Sequence, residues 1–309
     1  MKKMPIIIDC DPGHDDAIAL ILAFAQETLE VKGVTVVAGN QTLDKTLGNA
    51  KKILSFIGKR PPVAAGAARP LFRNLETAPS VHGESGLDGP AIPEADFKEE
   101  PLCAVELLRK TIMESPEPVT LVPTGPLTNI ALLFSAHPEV KKNIRQISLM
   151  GGGVAMGNWT AAAEFNIYVD PEAAAIVFDS GLPIIMAPLD VTHRAVILRS
   201  EVERLRNLGG KVPVLVAEIL DFFFEFHRAQ GFAGAPLHDP CAVAWLVKPE
   251  LFIAKPFQVT IETQGKHTAG MTLADQRPWT SAAPNATVLL DLDREGFIQL
   301  IIDACKSYN

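Results

Sequence analysis

Ile6-Ile7-Ile8 is a β-branched run that stops at acidic residues and Pro12-Gly13, the pattern of a buried parallel strand whose C-terminal end meets a turn. The period then changes. Residues 15–26 are rich in Ala and Leu behind an acidic start that suits the positive end of a helix dipole. A strand over 31–38, a helix over 43–57 and a short strand within 61–66 continue the alternation. From 67 to 101 the periodicity disappears, and the glycine-rich run from His82 through Gly83, Gly86 and Gly89 to Pro90 reads as a lid or binding loop, because a compact domain rarely carries so long a structureless stretch.

The alternation resumes with a helix near 103–114, a strand over 119–122 leading into Thr124-Gly125-Pro126, a helix from about Leu127, and a strand over 144–150 running into Gly151-Gly152-Gly153. A helix over 172–179 and a strand over 184–187 form a further unit. Later come a helix around 212–226 and another opening near His238-Asp239-Pro240. Short apolar runs at 257–263, 271–273 and 286–292 predict extra strands at one side, and an amphipathic helix covers 294–306. The pattern predicts an α/β fold over 1–309: a single Rossmann-like domain with a mostly parallel central sheet, plus small extra strands and helices.

Composition narrows the class. Apolar residues at 48% and charged ones at 21% match a globular core rather than disorder or a fibrous repeat. A net charge of −8 disfavours polyanions, so no nucleic-acid partner is expected. Cys10, Cys103, Cys241 and Cys305 are scattered without a CxxC pair, which indicates neither a disulfide framework nor a zinc knuckle and fits a reducing compartment. The apolar run near the N-terminus is too short for a signal peptide, and the longest apolar stretch, 17–25, is about half a membrane span. The expectation is a cytoplasmic protein with no membrane partner.

The candidate chemistry follows the first strand. Asp9, Asp11, Asp15 and Asp16 place four carboxylates within eight residues. A turn can fold Asp11 and Asp16 onto one point, and packed carboxylates repel unless a cation or shared protons intervene. Oxygen donors favour Ca²⁺ or Mg²⁺ over zinc. Helix capping by Asp15 and Asp16 accounts for one or two of these acids, not all four. Thr124, beyond a strand end, offers a carbonyl free of sheet pairing, and Asp239 reads equally as a ligand or as the N-cap before Pro240. Gly151 to Met156 fails the GxGxxG pattern at its last position, which disfavours nicotinamide binding. Trp279 and Phe222-Phe223-Phe224 are candidates for an aromatic pocket, although helical aromatics usually belong to the core.

The DxDPGxDDA opening at 9–17, Gly39-Asn40, Gly151-Gly152-Gly153, Ala163-Glu164-Phe165-Asn166 with Asp170-Pro171-Glu172-Ala173, and His238-Asp239 together resemble the inosine-uridine-preferring nucleoside hydrolases, across nearly the whole chain. Val81-His82-Gly83, Gly157-Asn158-Trp159-Thr160 and Leu237-His238-Asp239-Pro240-Cys241 are most similar to the bacterial pyrimidine-preferring ribonucleoside hydrolases. The resemblance implies calcium-dependent hydrolysis of the N-glycosidic bond of ribonucleosides, uridine and cytidine above all, to free base and ribose. It implies Ca²⁺ held by Asp11, both oxygens of Asp16, the Thr124 carbonyl and Asp239, with a water and the ribose diol completing the shell. By the same resemblance Asp11 is the general base, and Asp15, Asn40, Glu164 and Asn166 bind ribose hydroxyls, with Asn158 at the 5′ end and Met150 and Phe165 as floor and wall. His238 would protonate the leaving base, since a histidine titrates near neutral pH. His82, His227 and Gln230 would face the base. A homo-oligomer, tetramer or dimer, is also implied.

His14 stands where the broader family often has an apolar residue, and its neighbouring carboxylates offer it hydrogen bonds. The alternatives are a broader purine and pyrimidine nucleoside hydrolase, a DxD-type metal phosphohydrolase, whose usual hydroxyl-bearing positions are here Pro12-Gly13, and a nucleoside-binding module without turnover.

Overall fold

The isoleucines of the opening strand point alternately into two cores: Ile6 and Ile8 join one apolar cluster and Ile7 another, as the two-residue period of a strand buried on both faces requires. The computed structural model describes residues 2–309. In chain order the elements are β1 (Met4–Cys10), α1 (His14–Ala25), β2 (Leu29–Val36), α2 (Leu43–Phe56), β3 (Val63–Ala65), α3 (Pro79–His82), α4 (Ala104–Glu114), β4 (Val119–Pro123), α5 (Thr128–Ala136) and β5 (Ile144–Met150). There follow α6 (Phe165–Val169), α7 (Pro171–Phe178), β6 (Ile184–Ala187), α8 (Leu189–Thr192), β7 (Val196–Ile197), α9 (Arg199–Leu208), α10 (Lys211–Ala229) and β8 (Ala235–Pro236). The chain ends with α11 (Pro240–Val247), β9 (Phe252–Phe257), β10 (Val259–Ile261), β11 (Thr272–Ala274), β12 (Ala286–Leu292) and α12 (Arg294–Lys306).

Eight strands form one sheet in the order β3-β2-β1-β4-β5-β6-β12-β9. Every pairing is parallel except that of β12 with β9. The strand order reverses between β1 and β4, so the chain leaves these two neighbours in opposite directions and a crevice opens at their C-terminal ends. The acidic turn follows β1 and Thr124 follows β4. Topology alone therefore brings the two motifs together. Helix α1 begins at that crevice, with residues His14 to Ala23 all buried, as an apolar helix packed on several sides must be. Its start is fixed by Asp16, whose Oδ2 accepts the Gly13 N–H at 3.0 Å and lies near the positive end of the helix dipole.

The expectation of extra strands at one side is corrected in part. β10 and β11 do form a separate hairpin, but β12 enters the main sheet parallel to β6 and carries β9, an edge strand the periodicity did not indicate. A half-exposed edge strand lacks the continuous apolar run of the central ones. Helices α6, α8 and α9 were also unanticipated; half of the residues of α9 are charged, with only Val202 and Leu205 buried. Within the aperiodic stretch from 67 to 101 the one helix is α3, which delivers His82.

Asp9 departs from the carboxylate cluster expected of the opening motif. Its Oδ1 accepts from Thr35 Oγ1 at 2.5 Å and Asn129 Nδ2 at 2.8 Å, tying β1 to β2 and α5, while Oδ2 is buried without a partner. Burial raises its pKa to about 7 against the opposing pull of these hydrogen bonds. The folded chain thus holds this proton more tightly than the unfolded chain. The stabilisation is complete below pH about 4 and is lost as pH rises toward 7. Asp9→Asn is therefore expected to flatten the pH dependence of stability between these limits, measured by urea unfolding at several pH values; an unchanged slope would count against this assignment.

Candidate active site

Three carboxylates from two distant parts of the chain converge at the crevice: oxygens of the adjacent Asp15 and Asp16 and of Asp239 lie within 4.8 Å of one another. Asp16 is the most constrained, with Oδ1 accepting from Thr124 Oγ1 at 2.8 Å and Oδ2 from Asn40 Nδ2 at 3.1 Å in addition to the Gly13 N–H. Asp11 is fully buried beside them. Its Oδ2 accepts the Asn40 N–H at 2.7 Å, whereas Oδ1 has no partner. Gly39 and Gly125 allow this approach, since a Cβ on either would lie 2.2 Å from Asp11 Oδ2 or 2.4 Å from Oδ1 respectively.

Asp239 occupies the N-cap position of α11 but makes no capping hydrogen bond with its side chain. The capping alternative is thus not realised, and the carboxylate joins the acidic cluster instead. The Thr124 carbonyl is not wholly free, because Asn166 Nδ2 donates to it at 2.8 Å; a carbonyl oxygen retains a second lone pair for another partner.

Burying so many acids with only each other as charged neighbours makes their ionisation costly. Burial, reinforced by the Asp16 charge, raises Asp15 to about 7. Asp11 and Asp239 are pushed well above the usual carboxylate range by burial and then by neighbouring aspartates. An unpartnered buried oxygen on Asp11 and a cluster of mutually repelling carboxylates are what a bound cation would relieve. All the donors are oxygens. The cluster can hold a metal ion, and its donor set is that of a hard one.

Above the acids lies a cavity of about 410 Å³, within the range of small-molecule sites. Asp15, Asn40, Thr124 and Asp239 form part of its wall. Asp11 and Asp16 do not line it directly and reach it through Asn40 and Thr124. Met150, Glu164, Phe165 and Asn166 line the same side, with Asn158 at the rim. Glu164 caps α6: Oε1 accepts the Asn166 N–H at 2.9 Å, while Oε2 accepts those of Gly152 at 2.8 Å and Ile167 at 3.2 Å. Burial raises its pKa to about 7. Asn166 spends its amide N–H groups on the Thr124 and Met150 carbonyls, leaving Oδ1 for a ligand. Asn158 does the reverse, accepting the Phe165 N–H at 3.0 Å through Oδ1.

His82, His227, His238 and, where it opens, exposed Gln230 also line the cavity, so the site residues inferred from the sequence all line it except Asp11 and Asp16, which lie behind its acidic wall. The basis for choosing His238 requires correction. Burial and the nearby His193, His227 and His82 push its pKa well below the ordinary imidazole value, which favours the neutral ring. Its Nδ1 lies 2.8 Å from Thr192 Oγ1. His227 is likewise lowered to about 4 by burial, and its Nδ1 lies 3.0 Å from the Phe223 carbonyl oxygen; a carbonyl only accepts, so Nδ1 carries the proton and Nε2 is a lone pair.

Sequence reasoning missed His193, Phe226 and Phe232, which also line the cavity. The spacing Phe222, Phe223 and Phe226 with His227 marks one face of α10, a signal that a search for helical period within the aromatic run could have used. Of the aromatic candidates, Phe223 lines the cavity but Trp279 does not, being 77% exposed elsewhere.

Residues 6–299 match the profile of the inosine-uridine preferring nucleoside hydrolases. Over 309 residues and 99% of both chains, the protein is 57% identical to the pyrimidine-specific ribonucleoside hydrolase RihA of Salmonella typhi. It is 56% identical over 308 residues, again 99% of both, to RihA of Escherichia coli O1:K1 / APEC. Among solved structures it superposes on a purine-preferring ribonucleoside hydrolase from Gardnerella vaginalis with a TM-score of 0.92 at 30% identity, covering 98% of each chain. On a plant nucleoside hydrolase the TM-score is 0.90 at 31% identity, over 98% of this chain and 99% of the other. The chain belongs to the inosine-uridine preferring nucleoside hydrolase family.

Proposed function

We propose that this protein hydrolyses the N-glycosidic bond of pyrimidine ribonucleosides, releasing free base and ribose, with Ca²⁺ held by Asp11, Asp16, Asp239 and the Thr124 carbonyl. The observation that carries the reading is that one cavity is lined both by buried acids able to hold a cation and by a group of histidine and aromatic side chains. Asp15, Asn40, Glu164 and Asn166 in its wall offer acceptors suited to the ribose hydroxyls, which need partners once removed from water. Asn158 at the rim offers its amide N–H groups to the 5′-hydroxyl. A bound calcium ion supplies the charge that orients the ribose diol and acidifies an adjacent water.

Asp11 is the base in this scheme. Its unpartnered Oδ1, on a carboxylate whose basicity burial has raised, takes a proton from the attacking water as the O–C1′ bond forms and the C1′–N bond breaks. Positive charge developing on the sugar is stabilised by the surrounding acids. The departing base takes its proton from His238 in its imidazolium form, a stronger acid because burial lowers its pKa, and His238 is left as neutral imidazole with Nδ1 against the Thr192 hydroxyl. Preference for pyrimidines is supported by the names of the most similar relatives, whereas purine-preferring enzymes share the same fold at 30% identity. Base choice therefore rests on side chains rather than on architecture. The phosphohydrolase alternative is disfavoured because no Lys or Arg lines the cavity among the described residues, and a phosphate ester beside these carboxylates would be repelled.

Uridine and cytidine incubated with calcium-loaded protein are expected to yield base and ribose, and chelation to abolish the reaction; phosphate release from a generic ester without base release would overturn the assignment. Asp11→Asn is expected to lower kcat by about 10²–10⁴-fold, the usual contribution of a general base, with the melting temperature showing that the fold survives. Because protons compete with the cation for these raised carboxylates, calcium affinity measured by calorimetry is expected to be tighter at pH 8 than at pH 6 and to release protons. Equal affinity at both would contradict the ligand set.

A further inference from the structure

The histidine inside the acidic motif hydrogen-bonds to no carboxylate, contrary to the expectation from its sequence neighbours. His14 is fully buried, its ring parallel to those of Phe222 and Phe223 at 5.0 and 5.3 Å. Its Nε2 lies 2.9 Å from the Asp88 carbonyl oxygen and its Nδ1 3.1 Å from His82 Nδ1. A carbonyl oxygen can only accept, so Nε2 carries the proton, and a neutral buried ring then has a lone pair at Nδ1. The atom facing that lone pair is His82 Nδ1, which must be the donor if the contact is to be attractive.

The remaining His82 nitrogen, Nε2, makes no hydrogen bond among the described residues, and His82 lines the cavity. We propose that His14 is a positioning residue that holds His82 in the Nδ1–H tautomer, so that His82 offers its Nε2 lone pair to the nucleobase and favours bases with a donor on that edge, the N3–H of uridine or the N4 amino group of cytidine. The inference rests on the site being a nucleoside pocket. One contact opposes it: the His14 backbone N–H also points at His82 Nδ1, at 3.3 Å. The opposite tautomer would satisfy that N–H but set two ring lone pairs against each other at the shorter distance. The N–H belongs to the first residue of α1, where intrahelical partners are lacking in any case.

The device links specificity to a residue outside the cavity, for His14 is not among its lining residues. Neutral histidine is suited to this position because it donates at one nitrogen and accepts at the other. Phenylalanine preserves the stacking and does neither. Glutamine can accept from His82 and donate to Asp88.

The test combines ¹⁵N spectra of histidine-labelled, calcium-loaded protein with kinetics on uridine and N3-methyluridine, which lacks the N3–H. In the parent protein His82 is expected to show a protonated Nδ1 and an unprotonated Nε2; the reverse overturns the proposal, and this readout needs neither a variant nor turnover. His14→Phe is expected to shift His82 toward the other tautomer and to raise KM for uridine about ten-fold, the effect of one lost buried hydrogen bond, with kcat and the N3-methyluridine KM unchanged. His14→Gln is expected to restore the uridine KM. Parallel loss on both substrates, or no rescue, overturns it. Absence of nucleoside turnover in protein whose His82 is protonated at Nδ1 would instead defeat the proposed activity.

Discussion

Negative charge held out of water is the constraint around which the site is organised. Asp11, Asp15, Asp16 and Asp239 are nearly inaccessible to solvent, and taking carboxylates from water without opposite charge costs several kcal/mol apiece. The fold tolerates this because the acids sit where backbone and hydroxyl donors are fixed: at the start of α1, after β2 and after β4. Gly39 and Gly125 let two loops close upon Asp11 with no side chain between. What would be a liability in a purely structural core is, at the mouth of a parallel sheet, a cluster of oxygens that can hold a cation.

The acids and the histidines that line the cavity are shifted in opposite directions by the same cause. Burial raises the pKa of Asp15 and Asp239 and lowers that of His82, His227 and His238, in each case favouring the neutral form. A neutral imidazole presents a proton at one nitrogen and a lone pair at the other. The ring nitrogens of His82 and His238 meet His14 and the Thr192 hydroxyl, neither of which lines the cavity. Relatives that share the architecture but differ in base preference have this deeper layer available for variation.

Much of this was legible in the chain because the chemistry clusters where the period of the pattern changes. Ile6-Ile7-Ile8 followed by the acidic turn marked both the central strand and the end at which the crevice opens, and β5, β6 and α12 begin and end within a residue of their expected limits. The rest depended on tertiary context. β12 carries the same short apolar run whether it lies in a satellite hairpin or in the main sheet. Asp9 and Asp11 are alike in sequence, and only the positions of Thr35 and Asn129 decide that Asp9 is a structural tie. His193 and Phe232 gave no local signal, since each becomes part of the wall only when α8 and the segment after α10 meet. The reason for choosing His238, its ordinary titration range, failed because burial beside three other histidines is invisible in sequence.

Glu164 has a consequence for the speed of recognition. By receiving three backbone N–H groups it fixes the loop that presents Asn166 and Phe165 to the cavity. The loss of conformational freedom at that wall is incurred during folding instead of on encounter. Whatever enters the cavity thus meets a surface already in its final shape, which need not reassemble between one occupant and the next.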